Sequence, residues 1–270
     1  MSVTAALALE PRRALEFFRG KGLKASFAWQ DVFHGEHDAN FVVAKMMDLD
    51  LLADVRASVD RAIASGQTFA DFRQELEPEL VRRGWWGRAE MPDPLTGEVR
   101  EVQLGSPRRL RTIYDTNLRT SYASGHWAAI EETKDTAPFL MYDAVDDDRT
   151  RPEHAAWDGT VLPADDAWWQ THFPPNGWNC RCTVVQLSAA QVERLGLEVD
   201  KKAPPSPTRE WTNPRSGEIE RVPEGIDPGW AYSPGRTRVD LVRETAEAKA
   251  KAWPPEFAAE IRAAIDRIGR

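Results

Sequence analysis

Two cysteines, Cys180 and Cys182, stand one residue apart, and upstream of them lies His154 at the end of Asp146-Asp147-Asp148-Arg149-Thr150-Arg151-Pro152-Glu153-His154. They are the only cysteines of the chain, and His154 is one of five histidines. Thiolate, imidazole and carboxylate are the usual zinc donors, and a compact site gathers them from separate short segments. His154, Cys180, Cys182 and Asp148 therefore form a candidate metal set, with structural zinc as the candidate cofactor and Asp147 as the other carboxylate in reach. Three protein donors plus water would instead be the open pattern of a catalytic zinc. A metal-free knot is the competing reading. Buried cysteines are common core residues, His154 can bond a carboxylate, and Arg151 can pair with the acids as an ionic lock. Both readings predict that Cys180 and Cys182 lie beside His154. Cys180, His154 and Asp148 can also be drawn as nucleophile, base and orienter. No nucleophile elbow or glycine-rich phosphate loop supports that drawing, and the chain is read as not an enzyme.

The elements that must position these residues follow from spacing. Phe139-Leu140-Met141-Tyr142 predicts a strand leading into the acidic cluster, and Thr183-Val184-Val185-Gln186-Leu187 a strand leaving the cysteines. Ser188 with Gln191 predicts a capped short helix to Leu195. Ser106-Pro107 starts a long helix through Ala129, with Asn117 on its apolar stripe as either a site residue or a satisfied core asparagine. Upstream, helices are expected over residues 11–20, over Ala39–Ala64 with a break near Asp48, and from a Thr68 cap through Leu80, where Pro78 should kink or shorten the last. Gly84–Gly105 reads as a boundary with a hairpin near Leu95–Gly97. Lys201–Gly235 is rich in proline and turns, yet its aromatics argue for an ordered arm. Arg238–Ile268 reads as a C-terminal helix interrupted at Trp253-Pro254-Pro255. No internal repeat is read.

The chain has 270 residues, 35 Lys and Arg against 43 Asp and Glu, and a formal net charge of −8. Such an acidic chain is a poor bulk binder of nucleic acid. Arg108, Arg109 and Arg111 form a local basic spot that either touches an acidic partner or only solvates a helix face. No apolar run approaches the ~20 residues that cross a bilayer, and Met1–Glu10 shows no signal-peptide pattern. A Cys180–Cys182 disulfide would close a small strained ring, so both read as reduced thiols made in a cytosol. Eleven tryptophans imply either a rigid core or an interaction surface.

Asp147 through His154, Gly159 and Phe173-Pro174-Pro175-Asn176-Gly177-Trp178-Asn179-Cys180-Arg181-Cys182 resemble the core of the phage Mu protein F-like family of head morphogenesis proteins. Phe17–Leu23, Val43–Met46, Gly84–Gly87, Tyr114–Thr120 and Gly225–Tyr232 continue the likeness along almost the whole chain. The resemblance implies a minor head protein of a tailed phage, made in the host cytoplasm and resident in the virion, with the portal or major capsid protein as partners. It also implies a Cys-x-x-Cys pair where this chain has Arg151-Pro152-Glu153-His154, and a histidine near Gly177, so two of the family's candidate ligands are replaced here. Some relatives carry a further toxin or nuclease domain, for which no room is read after Leu197. The expectation is an α+β protein: a helical N-terminal region (1–87), a mixed module with a long helix, a small sheet and the Asp/His/Cys loop knot (88–200), and a proline-rich arm with a C-terminal helix (201–270). Its work is expected to be assembly by protein contact. The alternative is a metal-dependent or Cys/His hydrolase carried in the head. Exposed tryptophans and the arm are the expected contact surfaces, with Trp211, Trp230 and Tyr232 either anchoring a partner or packing back on their own domain.

Overall fold

A computed structural model describes residues 11–32 and 35–236, so the expected C-terminal helix lies outside the described residues. The fold is α+β, with helices and four small sheets. Helix α1 (Arg12–Arg19) buries Ala14, Leu15, Phe17 and Phe18. Strand β1 (Gly22–Leu23) pairs in parallel with β2 (Asn40–Phe41), across a 3-10 turn at Trp29–Asp31 and the short α2 (Glu36–Ala39). Helix α3 (Leu49–Ser65) starts only after Asp48, whose carboxylate accepts from the backbone N–H groups of Asp50 and Leu51. The helical periodicity expected from Ala39 therefore fails upstream of that cap, where α2, β2 and irregular chain stand instead. Gly66 ends α3 in the left-handed conformation, φ 64°. Helix α4 (Phe69–Arg82) is capped by Thr68 as expected and runs on through Pro78 without shortening.

The hairpin of β3 (Arg88–Pro92) and β4 (Val99–Gln103) leads into α5 (Pro107–Thr133), capped by the Ser106 hydroxyl accepting from the Arg109 N–H. Then come β5 (Phe139–Asp143), α6 (Pro152–Trp157), β6 (Val161–Pro163), α7 (Trp169–His172), β7 (Thr183–Leu187) and α8 (Ala189–Arg194). These strands form one antiparallel sheet in the order β6-β5-β7. The arm adds the hairpin of β8 (Thr208–Thr212) and β9 (Ile219–Pro223).

Two apolar clusters divide the interior. One runs from Ala14 to Ile113 and takes in Val102 and Leu104, so it extends past the boundary read at residue 87. The second runs from Trp127 to Trp230. Helix α5 belongs to both, giving Leu110 and Ile113 to the first and Trp127 and Ile130 to the second. Helix α1 presses on α5 at Gly125, where a Cβ would sit 2.9 Å from the Ala14 nitrogen.

The tryptophans belong to these cores. Trp85, Trp127, Trp157, Trp168, Trp169 and Trp230 are buried, and no tryptophan among the described residues is exposed. Trp230 and Tyr232 are each 6% exposed, and Trp211 stacks on Trp29 with ring centroids 6.0 Å apart. The expectation of exposed tryptophans as a contact surface is thus corrected. Most of their apolar area is spent on the protein's own packing, with Trp29, Trp86, Trp178 and Trp211 left half-buried.

The hairpins also reveal a repeat that the sequence reading missed. Asp93-Pro94-Leu95-Thr96-Gly97-Glu98 and Asn213-Pro214-Arg215-Ser216-Gly217-Glu218 build the same turn. Gly97 N donates to Asp93 O at 2.7 Å and Gly217 N to Asn213 O at 2.8 Å. The Asp93 and Asn213 side chains accept from the N–H groups of Leu95 and Arg215 at 3.0 and 2.9 Å. The turns meet at Arg215, which donates to both Asp31 oxygens at 2.7 and 3.2 Å and to Asp93. Arg100 also reaches Asp93, and Asn213 Nδ2 donates to the Gln30 carbonyl at 3.2 Å. This ionic latch ties the arm to the N-terminal region.

Candidate metal centre

The knot is built by four short segments. Pro152 starts α6 at the favoured first turn, and α6 presents His154 inward at 2% exposure. A tight turn closed by Cys180 N donating to Gly177 O, with Asn179 left-handed at φ 63°, brings Cys180 and Cys182 up just before β7. The third segment is the Asp146–Thr150 turn, and the fourth is Gly225–Trp230.

His154 Nδ1 lies 3.8 Å from Cys180 Sγ and 3.5 Å from Cys182 Sγ. The three donor atoms all lie within 4.8 Å of one another. His154 Nε2 stands 2.9 Å from the Gly225 carbonyl. A carbonyl only accepts, so Nε2 carries the hydrogen and Nδ1 turns a bare lone pair to both sulfurs. Gly225 allows this approach: its φ is 82°, and a Cβ there would meet Glu153 and Trp157 at 2.7 Å. Trp157 stacks on the imidazole, centroids 5.1 Å apart. The hydrogen bond from Cys180 pushes the Cys182 thiol down. The same bond and burial push Cys180 up.

These donors fit a zinc ion. With bonds of ~2.3 Å to sulfur and ~2.0 Å to nitrogen, a tetrahedral zinc holds nitrogen and sulfur about 3.5 Å apart. The hydrogen bond from the far ring nitrogen to a backbone carbonyl is the support that metal-bound histidines commonly have. The donors also line a cavity of about 80 Å³. They would supply three corners of such a tetrahedron, and no fourth Asp, Glu, His or Cys joins them among the described residues.

Asp148 is not brought into the set. The turn in which Thr150 N donates to Asp147 O leaves Asp148 exposed and directs Asp147 inward instead. Arg181 grips Asp147 with two bonds of 2.5 and 2.7 Å, which hold its carboxyl well below the usual range. The drawn triad is therefore not assembled, because a backbone carbonyl orients His154. The expected ionic lock on Arg151 exists, with Asp227 as its partner rather than the acidic run. Arg151 Nη2 donates to Asp227 Oδ2 at 2.8 Å, and the Trp178 N–H donates to the same oxygen at 2.8 Å. A Cβ on Gly177 would sit 2.4 Å from that oxygen, so only glycine fits there. Asn117, undecided in the sequence, donates from Nδ2 to the Ile113 carbonyl at 2.8 Å and faces a groove on α5. Sequence reasoning missed Gly225 and Asp227 as knot members. Their only signal was Gly225-Ile226-Asp227-Pro228-Gly229-Trp230, a turn-rich run far from the cysteines.

Among the described residues no helix is long and apolar enough to cross a membrane. A family model described as Phage Mu protein F like protein matches residues 53–185, which hold His154, Cys180 and Cys182. The chain is 42% identical to "Putative capsid assembly protein F" of Escherichia phage Mu, over 89% of this chain and 58% of that protein. It is 40% identical to the Mu-like prophage FluMu F protein of Haemophilus influenzae, over 66% of this chain and 42% of that one. The chain thus spans about half the length of these curated relatives. No solved structure matches it. On the matched core and these two relatives, the chain belongs to the phage Mu protein F-like family.

Proposed function

We propose that the chain acts in capsid assembly as a minor head protein of a tailed bacteriophage, made in the host cytoplasm and resident in the virion. It works through protein contacts with the portal or the major capsid protein. The observation that carries this reading is the similarity to a relative named for capsid assembly, extending over 89% of this chain. In this role the knot is a structural cross-link. Held by His154, Cys180 and Cys182, one zinc would tie α6 to the start of β7, while the Arg151–Asp227 pair closes the other side. The Cys/His hydrolase alternative lacks an acid beside His154, since Asp148 lies at an exposed turn.

The test is mass spectrometry of gradient-purified procapsids and virions from cells producing the phage. The chain is expected in one or both particles at a reproducible ratio to the major capsid protein. Absence from both overturns the structural reading and returns attention to the hydrolase.

A further inference from the structure

A groove of about 580 Å³ runs between the two cores, with helix α5 as its floor. Its lining among the described residues contains no aspartate or glutamate, in a chain where acids outnumber Lys and Arg by 43 to 35. It does contain Arg108, Arg109, Arg111 and Lys21. Two of these are committed. Arg109 donates to the carbonyls of Gln103, Leu104 and Ala44, and Lys21 Nζ donates to the His37 carbonyl. They supply positive field rather than free donors. Arg108 and Arg111 are exposed at the first turns of α5. Arg111 keeps one bond to Asp115, at 2.7 Å, and lies over the Phe69 ring, 4.9 Å from its centroid, whereas the Arg108 guanidinium makes no hydrogen bond or ion pair among the described residues. Across from α5 the wall is aromatic, made by Trp29, Trp178 and Trp230.

We propose that this groove docks a short acidic peptide segment of an assembly partner, with carboxylates at Arg108 and Arg111 and an apolar side chain against the tryptophans. The identity of the partner rests on the capsid-assembly reading; the chemistry of the groove does not. Lining residues run from Arg108 to Thr120, a rise of about 18 Å along the helix, which an extended segment of about five or six residues spans. Arginine and tryptophan side by side are the residues that dominate protein–protein hot spots. A long nucleic acid fits worse. It would meet the field of a chain with net charge −8, whereas a short segment feels chiefly charges within a Debye length of ~10 Å. The basic spot Arg108-Arg109-Arg111 is thus more than a solvated helix face.

The test titrates the full chain against two fluorescein-labelled pentapeptides, Asp-Glu-Phe-Leu-Glu and Lys-Lys-Phe-Leu-Lys, followed by fluorescence anisotropy. The acidic peptide is expected to saturate and to weaken by roughly tenfold between ~50 and ~300 mM salt, while the basic one does not bind. R108E/R111Q should weaken the acidic peptide by about tenfold or more. T116W, which fills the groove without altering charge, should do the same and serves if the first variant folds poorly. Equal binding of both peptides, acidic binding that survives both variants, or no binding at ~1 mM peptide would each overturn the proposal. So would tighter binding of a labelled oligothymidylate that R108E/R111Q abolishes, which would assign the groove to nucleic acid. The two readings fail separately: peptide binding by a chain absent from particles sinks the head role alone. A chain present in particles whose groove variants bind peptide normally sinks the groove alone.

Discussion

The knot at His154 and the latch at Arg215 both tie distant segments of one chain, but with opposite chemistry. The knot uses an imidazole, two thiols and a backbone carbonyl, with His154 2% exposed. The latch uses formal charges: Arg215 between Asp31 and Asp93, with Arg100 closing on Asp93. A buried knot of soft donors hardly responds to salt, because buried groups are little screened, and its strength depends on packing or on a metal. A latch of charges responds to salt and pH and tolerates partial loss, because each acid keeps some solvent or a second partner. The first is suited to fixing one geometry, the second to fastening the arm to the N-terminal region.

The largest expected effect tests the knot. His154→Ala removes a buried ring stacked on Trp157 and leaves the Gly225 carbonyl with Arg151 as its remaining donor, at a cost of about 3 kcal/mol in chemical denaturation. Trp230→Ala, in the second core, should cost about as much, ~3 kcal/mol, in the isolated protein. A near-neutral result there would revive the arm as a partner-binding surface. In the latch, Arg215→Ala should lower Tm at low salt, and the part of that deficit owed to partly exposed Asp31 should shrink at ~1 M salt, where screening reaches ~3 Å, while the part owed to buried Asp93 should stay. An equal deficit at both salt concentrations would place the latch's contribution at the buried Asp93 pair and in packing, with nothing from Asp31.

The smallest effect is a pH dependence. Hydrogen bonding to Arg215, then to Leu95 N and Arg100, holds the Asp93 carboxyl at about 2, against 3.8 ordinarily. A folded pKa below the unfolded one gives stability that is full above pH ~4 and is lost as pH falls toward 2. Asp93→Asn should flatten the stability profile in that window. Burial likewise pushes His172 down to about 4, so the native state keeps it neutral while the unfolded chain takes up a proton. Stability from this source is present above pH ~6.5 and is lost as pH falls toward 4; His172→Gln should remove that slope.

The knot was legible because its residue types are rare. Only two cysteines exist, and their spacing confined the search. The helices were legible where a cap declared them, at Thr68 and Ser106, and the strands flanking the knot by an aromatic and apolar run at Phe139–Tyr142 and a β-branched one at Thr183–Val185. The α3 start was misread because apolar residues Phe41 to Met46 mimic a helical stripe while serving β2 and the irregular chain after it. Asp148 and Asp147 are indistinguishable in sequence, and only the turn geometry at Thr150 decides which one points inward. The latch was invisible because Asp, Pro, Thr, Gly and Glu are ordinary turn residues. Nothing local shows that the second copy, Asn213 to Glu218, replaces Leu95 by an arginine that reaches back to Asp31. The tryptophans were ambiguous for a related reason: composition gives their number but not which side of the surface they lie on.

The proposed role in capsid assembly implies that phage heads need the chain, and the most direct measurement is a stop codon placed early in its gene in a phage that carries it. Particles from infected cells are counted by electron microscopy, with and without the chain supplied in trans. The proposed role predicts that DNA-filled heads fall by roughly a hundredfold without the chain, as for any assembly step with no substitute, and return when it is supplied. Normal numbers of filled, infectious heads in its absence would contradict the account.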